Sequence, residues 1–287
     1  EDGVPGTDDV HLKNPGLKGG MAFFLNGDVV FSDTGNDRLV ILRGTDGQRL
    51  GSFGTSGSKP GQLNKPTGVA VSKEGLVLVA DTGNHRLQVF SREGKYVKTI
   101  GLGLGRMLGE FNKPTGVAFS KHNTIAVADS GNHRIQLIRF VDGVPQFAFG
   151  GCGKENGMFS DPRDVSFWND GMIAVADYGN NRVQIHFMLD GSYERTIGMD
   201  SFGIHVNGVG PTSVAVDKFE NIAIACARTP STESCVLIYD RFGEGIGQLL
   251  RGSLKSEKSL SIACDPSSVG AGTYAVADPE SHTVLLA

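Results

Sequence analysis

The side chains best suited to chemistry recur at fixed intervals in this sequence. Asp33, Asp81, Asp129 and Asp177 lie 48 residues apart, and an arginine follows each of them after five positions. Carboxylates of this kind can act as general acids or bind metal ions. A group that every repeat contains is instead expected to serve the fold of each repeat, by capping backbone N–H groups and pairing with the arginine. We therefore interpret these pairs as structural.

The remaining residues show no catalytic or metal-binding arrangement. The seven histidines are scattered, and the four cysteines have no CxxC spacing. We interpret Cys152, Cys226, Cys235 and Cys264 as free thiols of a reducing compartment, while a Cys226–Cys235 bridge stays open. The sequence thus predicts no catalytic residue, no metal site and no cofactor.

The repeat itself is the strongest signal in the chain. Val-Ala-Asp-Thr-Gly-Asn-His-Arg at 79–86 returns as Val-Ala-Asp-Ser-Gly-Asn-His-Arg at 127–134, and weaker copies end at Cys226 and Asp278. Glycine, with 41 of 287 residues, is typical of tight turns between short alternating strands. The pattern predicts a single all-β domain over residues 1–287, a six-bladed β-propeller of four-stranded antiparallel blades. The blades are centred near residues 33, 81, 129, 177, 226 and 278.

The two ends of the chain are expected to close the ring. The last unit stops at its third strand, and residues 1–5 resemble the turn at 141–145 that leads into a fourth strand. We expect the N-terminal segment to supply the outer strand of the last blade, because this removes an exposed edge. Residue 1 is Glu rather than Met, so we treat the chain as a fragment or a processed product.

The Asp-x-Gly-Asn-x-Arg turn, between a Val-Ala strand and a strand containing glutamine, resembles the NHL repeat. Phe-Asn-Lys-Pro-Thr-Gly-Val-Ala at 111–118 strengthens the resemblance. It is most specific in units two to four, good in unit one and weaker in units five and six. The chain is thus similar to the C-terminal domain of TRIM-NHL proteins, in which the propeller follows RING, B-box and coiled-coil segments. This resemblance leaves open a full-length parent that is a RING-type ubiquitin ligase.

Charge is distributed unevenly, although the net charge is only −4. The loops from the fourth strand of one unit to the first strand of the next have an excess of basic residues, and the turns of the opposite rim have an excess of acids. In several proteins that the chain resembles, the loop-rich face binds single-stranded RNA or an RNA hairpin. Such binding needs cations for phosphates and planar groups for bases.

We therefore expect a non-catalytic RNA-binding propeller of a cytoplasmic post-transcriptional regulator. In this interpretation the lysines and arginines contact phosphates, Tyr178 stacks on a base, and neither DNA nor a membrane is a partner. The candidate RNA-binding residues are Lys18, Lys65, His85, Arg106, Lys113, His133, Arg163 and Tyr178.

A second interpretation is a protein–protein interaction propeller that recruits substrates or partners for a ubiquitin ligase or a scaffold. The modest charge of the basic rim and the overall acidity favour this alternative. No apolar run approaches the roughly 18 residues that span a bilayer.

Overall fold

The computed structural model describes residues 20–168, 171–197, 210–226, 235–249, 260–265, 274–278 and 283–286. Within them, the chain forms five four-stranded antiparallel sheets and one three-stranded sheet. Sheet 1 consists of β1 (Met21–Phe23), β2 (Val29–Asp33), β3 (Arg38–Leu42) and β4 (Arg49–Phe53). The next loop contains two short parallel strands, β5 (Thr55–Ser56) and β6 (Gln62–Leu63). Sheet 2 consists of β7 (Pro66–Val71), β8 (Val77–Asp81), β9 (Arg86–Phe90) and β10 (Tyr96–Ile100).

The remaining sheets repeat this arrangement. Sheet 3 consists of β11 (Pro114–Phe119), β12 (Thr124–Asp129), β13 (Arg134–Arg139) and β14 (Pro145–Gly150). Sheet 4 consists of β15 (Pro162–Trp168), β16 (Met172–Asp177), β17 (Arg182–Phe187) and β18 (Tyr193–Ile197). Sheet 5 consists of β19 (Pro211–Val216), β20 (Ile222–Cys226), β21 (Cys235–Tyr239) and β22 (Gly245–Leu249). Sheet 6 consists of β23 (Ser261–Cys264), β24 (Tyr274–Asp278) and β25 (Thr283–Leu286).

The repeat units of the sequence coincide with these sheets. Each residue at the centre of a predicted unit is the last residue of the second strand in its sheet: Asp33, Asp81, Asp129, Asp177, Cys226 and Asp278. The prediction of six four-stranded blades is wrong, however, because only five of the described sheets have four strands. The predicted outer strand for sheet 6 falls on residues 1–19, outside the described residues.

The first strand of each sheet faces the central axis. β1 lies against β7 on one side and against β23 on the other, so the innermost strands form a closed ring. An apolar cluster fills each gap between neighbouring sheets; Met21 and Phe31, for example, pack with Ala263 and Ala275 of sheet 6. Burying such surfaces between sheets contributes about 25 cal/mol per Å² and holds the ring together. Phe111 is fully buried in the gap between sheets 2 and 3.

A tight turn joins the second and third strands of sheets 1 to 4. In sheet 2, Asp81 and Arg86 are opposite partners at the end of the hairpin. Between them, Thr82–Asn84 form one turn of 3₁₀-helix, and His85 closes it in the left-handed conformation at φ 55°. Sheets 1, 3 and 4 place Asp37, His133 and Asn181 in the same conformation. Asn and Asp tolerate this region better than most residues do.

Candidate functional site

The turns between second and third strands lie at the same end of the sheets as the loops 54–65, 101–113 and 150–161. We call this surface the loop face. Asp81 shows how a turn holds its loop: the side chain is fully buried, and Oδ1 accepts a hydrogen bond from the backbone N–H of Asn64 at 2.7 Å. Its Oδ2 accepts from Nε of Arg86 at 2.8 Å and from Nε2 of Gln88 at 3.0 Å. The Asn84 amide donates to both oxygens. This carboxylate is thereby committed to the fold.

The arginine of the turn completes the same network. Nη2 of Arg86 donates to the carbonyl oxygens of Lys59 and Gln62, both at 2.9 Å. Asp129 and Asp177 make the equivalent bonds to Arg134 and Arg182. The side chains of these arginines are only 14–15% exposed, and both aspartates are fully buried. The structural role predicted for the recurring Asp–Arg pairs is therefore confirmed.

The histidines of the turns connect neighbouring repeats. Nδ1 of His85 accepts a hydrogen bond from the backbone N–H of Lys113 at 3.1 Å, and Nδ1 of His133 accepts from Asp161 at 3.1 Å. In the same way, Oδ1 of Asp37 accepts a hydrogen bond from the backbone N–H of Lys65 at 2.7 Å. His85 and His133 were predicted to assist RNA binding. The structure shows them half-buried, each with one ring nitrogen bonded between repeats.

Lys65, Arg106 and Lys113 project from the loop face and are exposed. Lys65 and Lys113 occupy equivalent left-handed positions at φ 49° and 51°, immediately before the proline that begins an inner strand. The backbone of Arg106 is fixed because its carbonyl oxygen accepts a hydrogen bond from Nη1 of Arg134 at 2.7 Å. The predicted contact at Lys18 lies outside the described residues.

Arg163 and Tyr178, both predicted from the sequence, form one unit. The Arg163 guanidinium stacks over the Tyr178 ring at 3.1 Å from the ring centroid, and Nε donates to Oδ2 of Asp161 at 3.0 Å. Only 14% of the Arg163 side chain is exposed. One face of the tyrosine ring is therefore covered by the arginine, and both residues are half-buried.

Comparison of the chain with known protein families identifies the repeat. The sequence profile of the NHL repeat matches residues 63–90, 111–136 and 159–185. The chain contains NHL repeats. The matched segments extend from the loop-face loops to the third strands of sheets 2, 3 and 4, the part of the chain in which the Asp–Arg–Gln network is complete. No curated protein matches the chain.

Solved structures confirm the β-propeller fold. The chain is similar to a streptogramin B lyase structure, with a TM-score of 0.64 and 14% identity over 97% of this chain and 85% of that chain. It is similar to the Cps50 (Swd1) β-propeller domain of Myceliophteria thermophila, with a TM-score of 0.63 and 11% identity over 93% of this chain and 94% of that one. A nidogen/laminin complex gives a TM-score of 0.59 at 14% identity, with coverage of 80% and 78%. At these identities the likeness shows the fold alone.

The NHL repeat of sheet 4 departs from its neighbours at the stacked pair. In sheet 2, the positions of Arg163 and Tyr178 hold Thr67 and Thr82, whose hydroxyls are hydrogen-bonded at 2.6 Å. Sheet 3 has the same hydroxyl pair, Thr115 and Ser130. Sheet 4 therefore exchanges a small polar contact for a large planar one at the rim of the central opening.

Asp164 is a second departure of this NHL repeat, and sequence reasoning missed it. It follows Arg163, where the NHL repeats of sheets 2 and 3 have Gly68 and Gly116. Its Oδ2 accepts hydrogen bonds from the Ser213 hydroxyl and the Val214 N–H of the next inner strand. Burial raises the pKa of Asp164 to about 6, although these hydrogen bonds lower it. Aligning the repeats would have shown the replacement of glycine by aspartate.

The loop that leads into sheet 3 carries an apolar surface that the sequence analysis also missed. Leu102, Leu104 and Met107 are 77%, 65% and 72% exposed, and they surround Arg106. Contiguous exposed apolar side chains on a monomer often mark interaction sites. The run Leu-Gly-Leu-Gly-Arg-Met-Leu at 102–108 could have indicated this surface, because it places apolar residues in a glycine-rich loop.

The other chemistry-bearing groups of the chain are placed as follows. None of the four cysteines, all of which lie among the described residues, forms a disulfide, and Cys226 and Cys235 are opposite each other on neighbouring strands. His186 is fully buried, with its ring 5.0 Å from that of Phe149, and burial lowers its pKa. In the part of the chain that the structure describes, no three His, Cys, Asp or Glu side chains converge as metal ligands. The described residues also contain no helix long and apolar enough to cross a bilayer.

Proposed function

We propose that this NHL propeller is a non-catalytic RNA-binding module of a cytoplasmic post-transcriptional regulator. Single-stranded or hairpin RNA would lie across the loop face, with Lys18, Lys65, Arg106 and Lys113 at phosphates. The observation that carries the proposal is the charge left exposed on this face. Among the described residues of its loops, Glu155 is the single exposed carboxylate. Five basic side chains are exposed there: Lys59, Lys65, Arg106, Lys113 and Lys154.

The buried networks explain why this positive charge is not cancelled. The repeat aspartates would be expected to offset the loop lysines if all of them were in solvent. Asp81, Asp129 and Asp177 are instead fully buried and paired with their own arginines. Among the described residues, none of the five exposed cations forms an ion pair. Unpaired surface cations release counterions when they meet phosphates, which is the main source of affinity for nucleic acid.

In this proposal the half-buried Arg163–Tyr178 stack would provide the planar groups that RNA recognition needs. A base can stack on an exposed guanidinium plane as well as on an aromatic ring. Asp161 and Tyr178 hold the guanidinium in one orientation, which lowers the entropy cost of stacking a base on it. His85 and His133 would border this path, with Nε2 as the nitrogen left to donate.

The proposal is tested by fluorescence anisotropy of the 287-residue chain with labelled U-rich, A-rich and mixed single strands and one hairpin, across a salt series. Lys65→Gln/Lys113→Gln is expected to weaken binding about tenfold and to reduce the salt slope by about 1.4, since each phosphate contact to a single strand contributes about 0.7. The matched control, Lys73→Gln/Lys95→Gln, removes two exposed lysines from the turns of the opposite face and is expected to bind like the unmodified chain. Flat titrations with every RNA at low salt, or equal losses in both variants, would contradict the proposal.

Protein recruitment is the second candidate, and the exposed loop of Leu102, Leu104 and Met107 favours it. These aliphatic side chains, flanked by Arg106 and Lys113, suit an acidic amphipathic segment of a partner. Leu104→Ser/Met107→Ser is expected to abolish crosslinked capture of such a partner and to leave RNA anisotropy unchanged. Leu189→Ser, which removes an 89% exposed leucine from the opposite face, is the matched control.

One architectural expectation belongs to the same proposal: the whole chain, residues 1–287, is one propeller domain.

A further inference from the structure

The innermost strands enclose an axial cavity of about 230 Å³. Its walls come from all six sheets and include valine, alanine and phenylalanine side chains such as Val71, Phe119 and Val216, together with polar groups. Small-molecule sites are typically apolar concavities with a few polar groups that fix the orientation of the ligand. The cavity combines apolar side chains with a few polar ones, among them Asp164 and Ser166.

The cavity is nearly closed towards the loop face by a layer of glycine backbone. A Cβ on Gly20 would lie 2.6 Å from Cα of Gly68, and a Cβ on Gly116 would lie 2.5 Å from Cα of Asp164. Neighbouring inner strands therefore meet at backbone distance in this layer. On the loop-face side, a space of about 20 Å³ remains, which is enough for one water molecule.

Asp164 lies in this closing layer and lines both the cavity and the small space beyond it. The residue is half-buried, and it borders both the axial cavity and the small space on the loop-face side. Its hydrogen bonds come from the neutral donors Ser213 and Val214, and from the N–H of Val165. Among the described residues it has no ion-pair partner, since Arg163 turns to Asp161 and Tyr178. Buried carboxylates are normally paired with a cation, so this one lacks its usual counter-charge.

We propose that the axial cavity binds a small ammonium compound with an apolar body, and that the Asp164 carboxylate is the anchor for the ammonium group. The compound enters from the face opposite the loops, because the space that remains towards the loop face, about 20 Å³, holds no more than a water molecule. Its hydrocarbon part contacts the valine and phenylalanine walls. This site is separate from the RNA surface and does not depend on it.

The donor set favours an ammonium group over a metal ion. Calcium and magnesium require six or more oxygen ligands, several of them charged in most protein sites. Asp164 is the one carboxylate among the described residues that line the cavity. An ammonium group needs one carboxylate and a few neutral acceptors, and the Ser166 and Ser261 side chains belong to the same lining.

Binding should depend on pH through Asp164. Its pKa of about 6 means that the carboxylate is ionised at pH 7.5 and largely neutral at pH 5. The facing strands β11 and β19 carry no ionisable side chain, and on β16 Asp177 is paired with Arg182. Beyond β19, the buried Asp217 accepts a hydrogen bond from the Tyr274 hydroxyl at 2.9 Å, and burial raises the pKa of Cys264 to about 12. Asp164 is thus the group expected to titrate between pH 5 and 7.5.

The test uses the 287-residue chain with benzylammonium as the probe and benzyl alcohol as its uncharged counterpart, monitored by NMR titration. Benzylammonium is expected to bind at least tenfold more tightly than benzyl alcohol at pH 7.5, and about tenfold less tightly at pH 5 than at pH 7.5. Asp164→Asn is expected to remove the preference for the ammonium probe, and the exposed-turn control Asp190→Asn to keep it.

The pH series on the unmodified chain keeps the test valid even if Asp164→Asn does not fold. Equal affinity for the two probes, or an ammonium affinity independent of pH, would overturn the proposal. Loss of RNA binding in Lys65→Gln/Lys113→Gln would leave it unaffected.

Discussion

Sheets 2 and 4 share one turn network but differ where the inner strand meets the turn. In both, a buried aspartate binds an arginine, a glutamine and the loop backbone. In sheet 2, the inner strand carries Thr67 and Gly68, and a hydroxyl pair joins it to the turn. In sheet 4, Arg163 stacks on the turn and Asp164 reaches the next sheet. The comparison teaches that the invariant part of the repeat builds the fold, and that the variable slot is where a site can arise.

The largest effect is expected from breaking what the two sheets share. Asp81→Ala leaves the Arg86 guanidinium and the Gln88 amide without their carboxylate partner. We expect the free energy of unfolding to fall by about 3–5 kcal/mol, since a buried charge loses its counterion. Asp177→Ala should cost as much in sheet 4. Urea denaturation measures both.

A matched control is the exposed ion pair of Asp46 and Arg43, in which Oδ2 of Asp46 lies 3.0 Å from Nη1 of Arg43. Asp46→Ala removes a carboxylate in solvent and is expected to change the free energy of unfolding far less than Asp81→Ala does. If Asp81→Ala behaved like this control, the network would not be the shared foundation of the sheets.

The next effect concerns Asp164, the residue that sheet 2 lacks. Its pKa is raised from 3.8 to about 6, so the folded state binds a proton more tightly than the unfolded state does. The group therefore costs no stability below about pH 4, and the cost grows as the pH rises to about 6. Asp164→Asn is expected to raise the free energy of unfolding by up to about 3 kcal/mol at pH 7.5 and to change it little at pH 4.

Denaturant titrations at the two pH values measure this difference. Asn keeps one acceptor oxygen for Ser213 or Val214, which limits the hydrogen bonds that are lost. A variant that is equally destabilised at pH 4 and pH 7.5 would show that Asp164 acts as a neutral bridge between sheets 4 and 5.

A smaller effect on stability should distinguish the stacked pair Arg163–Tyr178 of sheet 4 from the hydroxyl pair Thr67–Thr82 of sheet 2. A double-mutant cycle on Arg163→Ala and Tyr178→Ala is expected to give a coupling energy of about 0.5–1 kcal/mol, typical of a cation–π contact near the surface. The corresponding cycle on Thr67→Ala and Thr82→Ala reports the hydroxyl pair of sheet 2. A zero coupling energy for Arg163 and Tyr178 would mean that the stack is incidental.

The smallest change is expected where the repeats exchange residues freely. His85→Asn keeps an acceptor near the Lys113 N–H and introduces the residue that sheet 4 has at position 181. We expect a change in melting temperature within experimental error. His85→Ala removes the acceptor and should cost about 1 kcal/mol. Equal losses in the two variants would indicate that the imidazole has a further role.

Local features of the fold were predictable because the same pattern of strands and turns recurs about every 48 residues. The structural role of Asp81 and Arg86 followed from their recurrence, and the structure supplies their partners. The number of four-stranded sheets was overestimated, because the outer strand of the last unit required pairing between distant parts of the chain. Pairings of that kind leave no periodic signal in a sequence.

The candidate site was predictable only in part. Arg163 and Tyr178 were selected separately, one for its charge and one for its ring, but their stacking joins β15 to the turn after β16 and depends on the register of the two strands. Asp164 was hidden by its neighbours, since an acid beside loop residues is usually solvated. The exposed leucines of the 101–113 loop could be recognised only after the core had been assigned, because leucine is most often buried.

The way in which the turn arginines hold the loops has a consequence for the diversification of this surface. Arg86 contacts the backbone carbonyls of Lys59 and Gln62, and Arg134 contacts those of Arg106, Met107 and Glu110. A backbone carbonyl is present whatever the side chain, so mutations in these loops can accumulate without loosening their anchorage. The backbone geometry of the loop face can therefore be conserved while its side chains change, so that new binding specificities can evolve on it.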